Sequence, residues 1–99
     1  MTVITLTELK EHLRLDTTDT TEDSVLTLYG ESAEELALNL MNRGIESIIE
    51  DYGTIPFSVK AACLLIAAHY YANREAASMA NLYNLPYGVE ALLKPYAIL

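Results

Sequence analysis

In Ala61-Ala62-Cys63-Leu64-Leu65-Ile66-Ala67-Ala68-His69-Tyr70-Tyr71-Ala72, only His69 falls outside the apolar set. Pro56, just upstream, is placed as a first-turn helix proline, where its missing N–H has no intrahelical partner to lose, so the longest helix is expected from Phe57 to roughly Glu75. A helix that is apolar nearly all round is covered on more than one side. In a chain of 99 residues that means the middle of a bundle or a seam between subunits. The chain therefore reads as all-α: one domain over residues 1–99, a small bundle of three main helices plus a short C-terminal helix.

Upstream, Thr5 and Glu8 have the spacing of a capping box. An amphipathic helix from about Leu6 to Leu15 follows, with Leu6, Leu9 and Leu13 on one face and Glu8, Glu11, His12 and Arg14 toward water. Asp16 to Thr21 is a run of Asp and Thr, whose side chains compete for local backbone groups and favour turns. A second helix is expected from Thr21 or Glu22, where Glu22 and Asp23 suit the positive end of its dipole. Leu26, Tyr29, Ala33, Leu36, Ala37, Leu40 and Met41 then form one buried stripe. Gly30 inside that pattern costs roughly 1 kcal/mol relative to alanine and marks a bend or close packing. The helix should stop at Asn42-Arg43-Gly44, with the glycine as terminator. Ile45, Ile48, Ile49 and Tyr52 fit a short helix, broken by Gly53-Thr54-Ile55-Pro56.

Downstream of the apolar helix, Ala76 to Pro86 is too greasy for an ordinary loop and is expected to dock on something. A final helix from about Gly88 to Leu93 is closed by Pro95, leaving Tyr96 to Leu99 as an apolar end.

Composition narrows the function. Apolar residues make up 52% of the chain, more than one small core can hide, so part of that surface is expected to be covered by another subunit. The net charge is −8 and lopsided: residues 1–51 hold twelve acids against Lys10, Arg14 and Arg43, whereas residues 52–99 hold Glu75 and Glu90 against Lys60, Arg74 and Lys94. Phosphate backbones are gripped by neutralising them with Lys and Arg, so such a surface does not hold nucleic acid. Cys63 is the only cysteine, which gives no intrachain disulfide and suits a reducing cytoplasm. The opening residues lack the pattern of a targeting segment, and no apolar run is long enough to span a bilayer.

Catalytic chemistry finds little support. Glu8, His12 and Asp16 fall at four-residue steps, as a metal clip would want, but solvated surface pairs explain them as well. Cys63 and His69 are six residues apart, about 120° around a helix, out of the hydrogen-bond reach that a nucleophile pair needs. Glu31, Glu34, Glu35, Glu46 and Glu50 lack a histidine three residues on and read as a solvated face. No phosphate loop, serine elbow or Cys-x-x-Cys is present. No cofactor or metal is expected, and no enzyme. Seven tyrosines and no tryptophan point elsewhere: Tyr70, Tyr71, Tyr83, Tyr87 and Tyr96 crowd the last thirty residues, and tyrosine is favoured at protein interfaces.

The helix end His69-Tyr70-Tyr71-Ala72-Asn73-Arg74-Glu75 is followed by Leu85-Pro86-Tyr87-Gly88-Val89-Glu90-Ala91-Leu92-Leu93-Lys94-Pro95-Tyr96. Together with the opening Ile4-Thr5-Leu6, Glu8-Leu9-Lys10 and Leu13-Arg14, it resembles the phage head-tail connector family, also labelled phage DNA-packaging protein. The resemblance implies a bacteriophage or prophage structural subunit at the head-tail junction of the virion, made in the bacterial host cytoplasm. It implies a homo-oligomeric ring beneath the portal, matching the portal's symmetry, extending the DNA channel and offering tail-completion proteins a docking surface. DNA would pass through without specific binding, and no membrane is involved. Over Gly44 to Ile55 the chain departs from the family, whose longer members carry a more polar, extended insert.

A ring needs a heterologous interface, one patch meeting a different one. The residues expected to form it are Tyr70, Tyr71, Asn73, Arg74 and Glu75 at the helix end, and Leu82, Tyr83, Leu85, Pro86, Tyr87, Leu92 and Leu93 in the tail, with Arg74 pairing Glu90 or a neighbour's carboxylate. Glu31, Glu34 and Glu35 are expected to face the channel, unless acids serve only to keep the subunit soluble. The competing readings are an acidic helical DNA mimic that binds a basic protein and a helical adaptor of another complex.

Overall fold

The computed structural model describes residues 1–73 and 88–98. Among them the chain is all-helical, with no strand: α1 (Leu6–His12), α2 (Asp23–Met41), α3 (Ile45–Tyr52), α4 (Phe57–Ala72) and α5 (Gly88–Leu93), then a 3₁₀ turn, Lys94–Tyr96. The main packing runs among α1, α2, α4 and α5, with α2 against α4 the most extensive pair.

The apolar α4 lies in the middle, as its composition demands. Val59, Ala62, Cys63, Ile66 and Ala67 are fully buried, and Leu64 and Leu65 are partly so against the same core. On α2 the buried apolar side chains are Leu26, Ala33, Ala37 and Met41. Alanines on both helices let their backbones approach closely. Leu40, expected in this stripe, is 41% exposed and lies at its edge. Gly30 is buried beneath Met1: a Cβ there would lie 2.1 Å from the Met1 sulfur, so the glycine serves close packing.

Helix ends follow local chemistry. Thr5 Oγ1 accepts from Glu8 N–H at 3.0 Å and Glu8 Oε1 accepts from Thr5 N–H at 2.8 Å, completing the capping box. Instead of reaching Leu15, α1 stops at His12, because Arg14 turns left-handed (φ 60°) and Leu15 N–H bonds to Lys10 O at 2.8 Å. The same wrapped end closes α2, but on Asn42 (φ 54°) and not on Gly44. Asparagine tolerates the left-handed region well enough to replace glycine, which leaves Gly44 extended as the residue that starts α3. Pro56 stands one residue before α4, its carbonyl accepting from Val59 and Lys60 N–H. α4 ends at Ala72, where Asn73 leaves the helical conformation (φ −112°, ψ 21°) and its side-chain amide donates to His69 O; the expected end at Glu75 lies outside the described residues.

Candidate assembly surface

Three charged side chains turn inward and fix the geometry of the surface. The first is Glu34, only 6% exposed. Its Oε1 accepts from Thr2 N–H at 3.0 Å, and its Oε2 accepts from Val3 and Ile4 N–H, each at 2.8 Å. An extended segment with no strand partner thus has its donors satisfied by one carboxylate, which allows Val3 and Ile4 to enter the core. Glu34 therefore leaves the solvated acidic face on which it was expected and cannot line a channel. Beneath it lies Cys63, whose thiol is pushed up to about 12 by desolvation and then by the Glu34 charge. Such a thiol is inert.

The second is Lys10, 4% exposed. Its ammonium meets Asp23 Oδ1 at 2.6 Å and donates to Asp19 O at 2.8 Å. The Asp-Thr linker supplies that carbonyl through two successive Asx turns. Asp16 accepts from Thr18 N–H and Oγ1, Asp19 from Thr21 N–H and Oγ1. These bonds hold both carboxyls below the usual range. A pocket of about 100 Å³ beside Lys10 is lined by Leu15, Asp16, Asp19, Glu22, Leu26 and Tyr71.

The third is Arg43. Its guanidinium donates to Ser47 Oγ and to Ser47 O (2.8 Å), to Asp51 Oδ2, and to Tyr96 O at 3.1 Å. It also lies 5.8 Å from the centre of the Tyr52 ring, which meets Tyr96 edge-on at 5.2 Å. Ile98 N–H donates to Met41 O at 2.8 Å. One buried cation thus ties the end of α2, the whole of α3 and the chain after α5 together.

Several large apolar side chains are exposed. Phe57, the only phenylalanine, is 87% exposed at the start of α4; Leu28 is 60% exposed, and Ile49, Tyr52 and Ile98 are each nearly half exposed. Sequence patterning singled out none of these as interface. Phe57 alone carried a hint, since it sits at a helix start beside a polar neighbour, outside the α4 apolar run.

Of the residues expected at an interface, Leu93 is 2% exposed and belongs to the subunit's own core, because α5 packs its Val89 and Leu93 against α4. Leu92 is half-buried. Tyr70 stacks obliquely on Tyr29 at 6.3 Å, Tyr71 borders the Lys10 pocket, and Asn73 caps α4. Arg74, Glu75, Leu82, Tyr83, Leu85, Pro86 and Tyr87 lie outside the described residues. Glu31 and Glu35 are exposed. Glu8 and Lys60 form a 2.9 Å ion pair between α1 and α4, and His12 is exposed. Among the described residues no group of His, Cys, Asp and Glu is arranged to hold a metal ion, and no helix is long and apolar enough to cross a membrane.

The family model of the phage gp6-like head-tail connector protein matches residues 3–97. The chain belongs to this family. The connector is thus a structural protein of the phage virion that assembles with other virion proteins, and it is not an enzyme. No curated protein and no solved structure matches it.

Proposed function

We propose that the connector is one subunit of a ring that docks beneath the portal, extends the DNA channel and joins the head to the tail. The observation that carries this reading is the family match over residues 3–97, nearly the whole chain. The surface supports it. Phe57, 87% exposed, and Leu28, 60% exposed, offer apolar area for a neighbour to cover. Tyr70, Tyr71, Asn73 and Leu92, with Arg74, Glu75 and the tail residues Leu82, Tyr83, Leu85, Pro86 and Tyr87, are proposed as ring contacts, and Glu31 and Glu35 as acids facing the channel. DNA sliding past them meets like charge and does not adhere.

Light scattering after size exclusion, over a range of concentrations and with purified portal added, tests the proposal. A discrete ring, alone or on the portal, is the expected result. A monomer that ignores the portal overturns it. Arg74→Ala should reduce ring formation more than it lowers the melting temperature; normal assembly of that variant removes Arg74 from the interface.

A further inference from the structure

Among the described residues, α3 packs least on the other helices and is held chiefly by Ile48 and Arg43. Eight residues are too few for a stable isolated helix, which needs about 12–15 in water. Here Ile48 is fully buried and the Arg43 guanidinium grips Ser47 and Asp51. The outer side carries Glu46 with Ile49 three and Glu50 four residues on, each a neighbour of Glu46 on the helix surface. All three are exposed, Ile49 by 44%, with Tyr52 at 45% beside them. Around the helix the order is Tyr52, Ile49, Glu46, Glu50, so the face has an apolar side and an acidic rim along one edge of it.

We infer that this face of α3 docks a basic, apolar-tipped segment of a different virion protein, and not a second copy of the connector. The inference rests on the connector reading, since that supplies the setting. Charge selects the occupant. Glu46 and Glu50 repel phosphate, which excludes DNA. They attract Lys or Arg flanking an apolar side chain that covers Ile49. A second copy is poorly furnished for this. Of its cations among the described residues, Lys10, Arg43 and Lys60 are already held by Asp23, Asp51 and Glu8, leaving Arg14 and Lys94. Its outer surface presents Glu31, Glu35 and Glu90 among other acids, and the net charge is −8. Two copies meeting at α3 would press like charges together.

The test places the photo-crosslinker p-benzoylphenylalanine at position 49 of the full chain, in particles of a phage that incorporates it. Irradiation should link position 49 to a Lys- or Arg-containing segment of another virion protein. Adding Glu46→Lys and Glu50→Lys should cut the yield about fivefold, the effect of two rim pairs, with helicity by circular dichroism unchanged. Linkage to another copy of the connector, linkage to DNA, no linkage, or a yield indifferent to the charge reversal overturns the inference. Mass spectrometry of the same particles separates this from the parent reading: a connector present in them but unlinked at position 49 sinks only the docking face, whereas its absence from them sinks both.

Discussion

Three backbone N–H groups converge on the Glu34 carboxylate, and nothing else of the chain is shown to accept them. Glu34→Gln keeps the shape but replaces a charged acceptor by a neutral amide that turns two hydrogens toward donors. It should cost about 2–3 kcal/mol, the range for a hydrogen-bonded buried charge, measured by urea denaturation. A loss below about 0.5 kcal/mol would mean that Val3 and Ile4 hold the segment without it. Arg14 presents the opposite case. Its left-handed conformation (φ 60°) is unfavourable by roughly 1–2 kcal/mol for an ordinary L-residue, while its side chain is exposed. Arg14→Gly removes that strain, partly offset by a freer unfolded chain. The expected outcome is a gain of about 0.5–1 kcal/mol, seen as a melting temperature higher by roughly 2–6 °C.

α3 stands or falls with Arg43. Arg43→Met fills similar volume but leaves Ser47, Asp51 and Tyr96 O without their donor. Amides of α3 should then exchange with solvent at least about tenfold faster, a shift of some 1.4 kcal/mol in local opening, while the buried turns of α2 and α4 keep most of their protection. Uniform acceleration across all helices would show that the guanidinium supports the whole fold and not this helix. The helices themselves were legible because their causes are local: the Thr5–Glu8 box, the three- and four-residue apolar steps of α2, and Pro56 before an apolar run. Their stops were less so. Gly44 drew attention as the glycine, but the chain turns at Asn42, a choice made by which residue the left-handed conformation falls on. The inward charges were hidden for a different reason. Glu34 reads as a solvated acid beside Glu31 and Glu35, although it stands three and seven residues from Ala37 and Met41 of the buried stripe. Only the tertiary arrangement reveals the three donors that make a buried carboxylate tolerable. Arg43 and Lys10 likewise gain meaning from partners that periodicity cannot supply, and the exposure of Phe57 and Leu28 is also a matter of tertiary arrangement.

For the molecule as a whole, pH reports how the charges are used. Glu8 is held low by its Lys60 pair and the Thr5 N–H, and Asp16 and Asp19 by their turn N–H groups. A carboxyl with a lower value folded than unfolded binds fewer protons in the folded state. Its stabilisation is fully present above the unfolded values of 4.5 for Glu and 3.8 for Asp, and is lost as pH falls through the folded ones. Cys63 works at the other end. Its unfolded value of 9.0 rises to about 12 on folding, so unfolding gains from thiolate formation as pH climbs above 9. Urea midpoints should form a plateau between about pH 5 and 9 and fall on both sides. Cys63→Ala should flatten the alkaline fall and leave the acid one. An unchanged alkaline limb in that variant would place its cause in the tyrosines. The Arg43 clasp adds a constraint in time. Its guanidinium is completed by the carbonyl of Tyr96, 53 positions further along, which at ribosomal speeds of 5–20 residues per second arrives roughly 3–10 s later. Until then the nascent polypeptide lacks that last acceptor, so synthesis itself postpones the closing of the clasp until the rest of the bundle has been made.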